Sequence, residues 1–194
     1  MRANSPSEPD PPLSLPNLIT LARLLTVPLT VWLISEGRHT AAFWVFIAAG
    51  VSDAIDGFIA KRFDRKTELG ALLDPIADKT LLVSVYVTLG IAGHLPGWLV
   101  ILVVFRDLLI IGGFLLVHAM SHAIRSAPLI VSKLNTACQI ALAAMTLAKL
   151  GLGFKAEMLM EGLVYAVAAT TVASGAGYLV RWARVLAGLE EQTS

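Results

Sequence analysis

The chain has 194 residues, of which 56% are hydrophobic and 15% charged, with mean hydropathy +0.74 and net charge +1. Soluble domains carry about a quarter of their residues as charges, so this composition excludes an ordinary soluble fold and points to one polytopic membrane domain. The near-neutral charge gives no electrostatic footing for nucleic acid, and a lone cysteine, Cys138, excludes an intrachain disulfide.

Residues 1–12, MRANSPSEPDPP, read as a disordered polar tail without the basic start or cleavage site of a signal peptide. Six apolar runs follow, at about 15–35 (containing Pro28), 40–63, 68–93, 97–120, 127–149 and 157–186. Each has roughly the 20 residues that cross hydrocarbon at about 1.5 Å per residue. Turn chemistry separates them: Glu36-Gly37, Asp64-Arg65, Gly93 to Gly97, Ser126-Ala127-Pro128 and Gly151 to Gly153. The runs are continuous rather than alternating, so strands are not expected. The expected fold is an all-α integral membrane protein with six transmembrane helices. It forms one domain over 13–188, with a second tail at 189–194.

With the N-terminus in the cytoplasm, that side collects Arg2, Arg23, Lys61, Arg62, Arg65, Lys66, Lys79, Arg125, Lys133, Arg181 and Arg184. The other side holds Arg38, Lys149 and Lys155. Eleven against three satisfies the positive-inside rule, with Arg106 near mid-membrane and left out. Both termini are then cytoplasmic, in the cell (inner) membrane. Trp44, Trp98 and Trp182 fit interface positions. The four histidines have no ligand spacing with the acids.

Four aspartates interrupt the second and third runs. Asp53 and Asp56 are three apart, and Asp74 and Asp78 four apart, so each pair shares a helix face. Intramembrane carboxylates are costly and mark function by default. Asp53 lies about 12 Å deeper than Lys61 at helical rise, which requires a cavity open to the cytoplasm. Four bare carboxylates around one space repel, and divalent cations relieve that. An all-oxygen donor set suits Mg²⁺, Mn²⁺ or Ca²⁺ rather than Zn²⁺. Two such cations can clamp a phosphoryl centre and its leaving oxygen. The plainer reading is an ion-pair network with Lys61, Arg62, Arg65, Lys66 and Lys79. Most of those bases sit at the surface, where they can snorkel to water or lipid phosphate. Gly57, Ala60 and Gly70 fit either close helix packing or backbone approach to a nucleotide. Pro75 would start or kink the third helix beside Asp74.

The arrangement Asp53, Asp56, Gly57, Ala60, Lys61, Gly70, Asp74, Asp78 places eight positions over 26 residues. It resembles the signature of the CDP-alcohol phosphatidyltransferases, D-x-x-D-G-x-x-A-R-x8-G-x-x-x-D-x-x-x-D, with every spacing kept. The segment Pro16 to Arg23 resembles that family's opening segment. Lys61 stands where the family usually has arginine; it keeps the charge without the planar fork. The resemblance implies a two-cation centre, Mg²⁺ or Mn²⁺, held by Asp53, Asp56, Asp74 and Asp78. It implies a nucleotide site bordered by Asn17, Thr20, Gly57, Ala60, Lys61 and Gly70. It also implies Asp78 as general base, CDP-diacylglycerol as donor, CMP as leaving group, and a homodimer.

The acceptor must be read from the second half. Arg106, Arg125, Lys133 and Asn135 are the candidate acceptor-binding residues. Each has a plainer reading for its basic members: Arg106 paired with Asp107, Arg125 a loop charge, Lys133 snorkelling. Phe105-Arg106-Asp107 and Ser132-Lys133-Leu134-Asn135-Thr136 resemble segments of cardiolipin synthases, which implies phosphatidylglycerol as acceptor. Glycerol 3-phosphate, as in phosphatidylglycerophosphate synthases, is the alternative. A membrane prenyltransferase also uses D-x-x-D motifs but normally has a longer chain. A cation transporter would need acids in both leaflets, and these lie in one.

Overall fold

A computed structural model describes residues 15–63, 68–119 and 130–186, and within them the side chains of 25–52, 79–113 and 130–184. The described residues are all-helical: α1 Leu15–Ser35, α2 His39–Phe63, α3 Glu68–Ile91, α4 Gly97–Ala119, α5 Ile130–Leu152 and α6 Glu157–Leu186. The turn at Asp64-Arg65, the break at Ser126-Ala127-Pro128, Arg125 and both tails lie outside the described residues.

Glycines end α1, α3 and α5, and their chemistry explains where the observed boundaries there differ from the expected ones. Gly37 (φ 70°) and Gly93 (φ 76°) adopt the left-handed region. Arg38 N donates to Leu33 O at 2.8 Å and Gly37 N to Ile34 O at 3.0 Å; His94 N and Gly93 N repeat the pattern on Leu89 O and Gly90 O. These are Schellman caps, which satisfy the last helical carbonyls. The cap stops α3 at Ile91 rather than at Gly93. At the end of α5 two glycines divide the work. Gly153 (φ 70°) ends the helix. Gly151, expected to break it, is helical and serves a close approach instead: an added Cβ would come within 2.6 Å of Thr40 N. Thr40 Oγ1 donates to Gly151 O at 2.7 Å, pinning the start of α2 to the end of α5.

The helices close into a ring. α1 packs on α2 and α3, α3 on α4, α4 on α6, α6 on α5 and α5 on α2, with α3 also reaching α5 across the middle. Among the described residues α1 lies between α2 and α3, which do not pack directly. Tyr86, Leu89, Leu99, Val103, Leu142, Leu147 and Val167 fill the centre.

Polarity is inverted relative to a soluble bundle. Thr30, Arg106, Asp107, Asn135, Gln139, Thr146, Thr171 and Ser174 are buried, whereas Trp32, Ile101, Phe105, Leu108, Ile130, Leu134, Met158 and Val172 are exposed. A soluble monomer rarely shows apolar surface on this scale. Ile130–Leu152 and Glu157–Arg184 are each long and apolar enough to cross a membrane. Trp182, expected at an interface, packs in part on Gly113, where any Cβ would collide with its ring.

Candidate active site

The aspartates fall on helical backbone, as their spacing requires. Asp53 and Asp56 lie toward the end of α2, and Asp74 and Asp78 in the first half of α3, joined across residues 64–67. Pro75 lies inside α3 rather than at its start. The three-residue link from α1 to α2 reverses the chain, and short links make antiparallel neighbours. The first turns of α1, with Asn17 and Thr20, therefore share one end of the bundle with Gly57, Ala60 and Lys61 of α2 and Gly70 of α3. The side chains of all these residues lie outside those described. Among the described side chains no three His, Cys, Asp or Glu come together. The donor set that the helices carry, four carboxylates on two elements joined by a short link, has the hard-oxygen chemistry of a Mg²⁺ or Mn²⁺ centre.

A second polar cluster, among the described side chains, lies where α3, α4, α5 and α6 meet. Arg106 is 2% exposed and Asp107 4%. Asp107 Oδ1 accepts from Arg106 Nη1 at 2.6 Å and from Lys79 Nζ at 2.8 Å. Arg106 Nη2 also donates to Ser132 Oγ and to Ser174 Oγ, both at 2.5 Å, and Nε donates to Ser174 Oγ at 3.2 Å. Four of the five N–H groups of a guanidinium are thus committed. A buried arginine survives in apolar surroundings only with such satisfaction.

One turn along α5, Asn135 makes a second tie. Its Oδ1 accepts from Thr171 Oγ1 at 2.8 Å and lies 2.9 Å from Thr170 Oγ1. The Thr170 hydroxyl has one proton and also faces Ala166 O at 2.7 Å, so it serves one acceptor at a time. Tyr86 OH donates to Gln139 O at 3.1 Å, bringing α3 into the same layer. The amide nitrogens of Asn135 and Gln139 are buried without a partner among the described residues. Lys133 is exposed. Of the four candidate acceptor residues, then, Arg106 and Asn135 are buried in helix-to-helix contacts, Lys133 faces outward, and Arg125 lies outside the described residues.

Sequence reasoning missed Asp107 as the partner of Lys79, and Ser132, Ser174, Thr170 and Thr171 as partners of the α4 and α5 polar groups. A signal existed: Thr170, Thr171 and Ser174 share one face of α6, as Ser132 and Asn135 share one face of α5.

The profile of the CDP-alcohol phosphatidyltransferase family matches residues 13–174. The chain belongs to the CDP-alcohol phosphatidyltransferase family. The matched span contains all four aspartates and ends at Ser174, the last member of the buried cluster. The chain is 35% identical over 182 residues to a cardiolipin synthase (CMP-forming)/mitochondrial hydrolase fusion protein of Schizosaccharomyces pombe, covering 86% of this chain and 31% of that protein. It is 32% identical over 191 residues to a chloroplastic CDP-diacylglycerol–glycerol-3-phosphate 3-phosphatidyltransferase of Oryza sativa, covering 89% of this chain and 58% of that one. It is 31% identical over 192 residues to the human cardiolipin synthase (CMP-forming), covering 91% and 64%. The chain thus spans between 31% and 64% of the length of these family members.

Proposed function

We propose that this protein transfers a phosphatidyl group from CDP-diacylglycerol to phosphatidylglycerol, giving cardiolipin and CMP. The observation that carries the reaction class is the aspartate pattern from Asp53 to Asp78, set on α2 and α3 inside the span that matches the family. Asp53, Asp56, Asp74 and Asp78 are the residues that would hold two divalent cations. Bound there, such cations neutralise charge on the diphosphate and on the departing oxygen. Asn17, Thr20, Gly57, Ala60, Lys61 and Gly70 border the cytidine and its phosphate. Asp78 takes the proton from the acceptor hydroxyl. The hydroxyl oxygen forms a bond to the phosphorus that carries the lipid, the bond from that phosphorus to the CMP oxygen breaks, and CMP leaves with the electron pair.

Six membrane spans with a cytoplasm-facing cavity, in the inner membrane with both termini cytoplasmic, complete the reading. The inverted polarity of the bundle and the placement of basic residues support it. Lys133 and Arg125 are assigned to the acceptor phosphate, with Arg106 and Asn135 as buried ties between the helices. A homodimer through α6, at the exposed small residues Ala169 and Ala176 of the stretches Ala166–Ala169 and Gly175 to Gly177, is part of the proposal. Glycerol 3-phosphate as acceptor is the second reading, favoured by the likeness to the rice protein.

The experiment is CMP release from CDP-diacylglycerol by purified protein, with and without chelator. Release that stops on chelation and returns with Mg²⁺ or Mn²⁺ is expected. Full activity in excess chelator would remove the metal centre from the account.

A further inference from the structure

The positive-inside count leaves Arg38, Lys149 and Lys155 on the non-cytoplasmic side. The links 36–38, 92–96 and 153–156 form that end of the bundle. The Thr40–Gly151 hydrogen bond and a ring contact of 5.4 Å between His39 and His94 draw them together. Every side chain of these links is described, so the charges at this end can be placed. Arg38 is accounted for: its guanidinium stands 6.0 Å from the centre of the Trp32 ring. Lys149 and Lys155 are exposed, form no ion pair with a described residue, and line one cleft of about 540 Å³ at the α5–α6 turn. Gly153, at φ 70°, turns the chain between them. Lys149 lies in the last turn of α5, where a cation offsets the helix dipole; Lys155 lies beyond the helix and has no such use.

Glu157 lines the same cleft and pairs with neither lysine, while Glu36 and Glu161, the other acids at this end, do not line it. Two ammoniums therefore face one carboxylate. The surface around them is apolar: Leu152, Phe154, Met158 and Leu159 are each at least half exposed. A free phosphate gains nothing from such a collar. An amphiphile uses both parts, its anionic group on the ammoniums and its chains on the apolar side chains. Long lysine stems can lie along apolar surface while their heads reach a phosphate.

We propose that this cleft binds an anionic phospholipid of the non-cytoplasmic leaflet, with the phosphate between Lys149 and Lys155 and the acyl chains against Leu152, Phe154, Met158 and Leu159. The leaflet rests on the topology proposed above; the chemistry of the cleft does not.

The test is photo-cross-linking of purified protein in phosphatidylcholine nanodiscs, mapped by mass spectrometry. The probes are phosphatidylserine and phosphatidylcholine, each with a diazirine on one acyl chain; phosphatidylserine is anionic and is neither donor nor acceptor in the proposed reaction. Wild type is expected to label residues 152–159 about 25-fold more with the anionic probe, each lysine supplying about a fivefold preference. Lys155→Gln is expected to keep about a fivefold preference, and Lys149→Gln/Lys155→Gln none. Both lysines are exposed, so these variants keep the fold. Equal labelling of wild type by the two probes, or a preference that survives in the double variant, would overturn the lipid site. Loss of the preference in excess inorganic phosphate would overturn it in favour of a soluble anion. Lys155→Cys in a Cys138→Ser background is expected to react with an impermeant maleimide in intact cells. Reaction only after lysis would overturn the leaflet and the topology behind it, a result distinct from failure of the two lysines.

Discussion

Arg106 is the residue on which clamp and ligand roles separate most cleanly. Arg106→Met keeps the length and apolar stem and removes the guanidinium. Removing one partner of a buried charge pair costs roughly 3–5 kcal/mol, mostly for the charge left behind. Here Asp107 retains Lys79 at 2.8 Å, so its charge is not abandoned. Ser132 and Ser174 are hydroxyls that can turn to helix carbonyls of their own. The low end of the range applies, about 3 kcal/mol. For a chain of this size about 2–4 °C is lost per kcal/mol, giving a melting temperature lower by roughly 6–12 °C. The assay is thermal unfolding of purified protein in detergent, followed by far-ultraviolet circular dichroism. Arg106→Lys, which keeps charge but loses the planar fork, should lose about half as much. The double variant Arg106→Met/Asp107→Leu should lose less than the sum of its singles, because a buried pair replaced by apolar groups is often nearly neutral. A melting point within 2 °C of wild type, together with a raised KM for the acceptor, would refute the clamp and put Arg106 on the acceptor phosphate.

Other outcomes follow from the same geometry. Asp78→Asn should lower turnover by about 10²–10⁴-fold, the usual contribution of a general base, with nucleotide binding partly retained; wild-type turnover would remove Asp78 from that role. Gly151→Ala should cost about 1–3 kcal/mol by overpacking, since its Cβ would meet the Thr40 backbone rather than a movable side chain. Gly153→Ala, in open space but at φ 70°, should cost about 1 kcal/mol from backbone strain alone. Thermal unfolding of the two variants checks both values.

The six helices were legible because each apolar run of about 20 residues is continuous and too long for a strand. Helix ends were less so, since a glycine in sequence does not declare its use. Gly153 ends α5 through its left-handed backbone, while Gly151 stays helical to let Thr40 approach. The order of packing was not legible: that α1 packs on both α2 and α3, and α4 on α6, has no signal in the sequence. The aspartates announced themselves by cost, because carboxylates are rare in apolar runs. Arg106 and Asn135 announced themselves in the same way, but their partners did not. Serine and threonine are common and cheap in membrane helices, so Ser132, Ser174, Thr170 and Thr171 stand out only once α4, α5 and α6 are brought together. For Lys79 the sequence offers the aspartates as ion-pair partners, whereas its tie to Asp107 depends on α4 packing against α3.

The central claim is that this chain joins the phosphatidyl group of CDP-diacylglycerol to phosphatidylglycerol. The direct measurement is a competition in mixed micelles: purified protein, Mg²⁺, CDP-diacylglycerol labelled in its glycerol backbone, and equal amounts of phosphatidylglycerol and glycerol 3-phosphate, with lipids and nucleotide quantified by mass spectrometry. The account predicts labelled cardiolipin and CMP in equal amounts, both lost in Asp74→Asn. Labelled phosphatidylglycerophosphate as the main product would contradict the acceptor assignment, and absence of CMP with either acceptor would contradict the reaction itself.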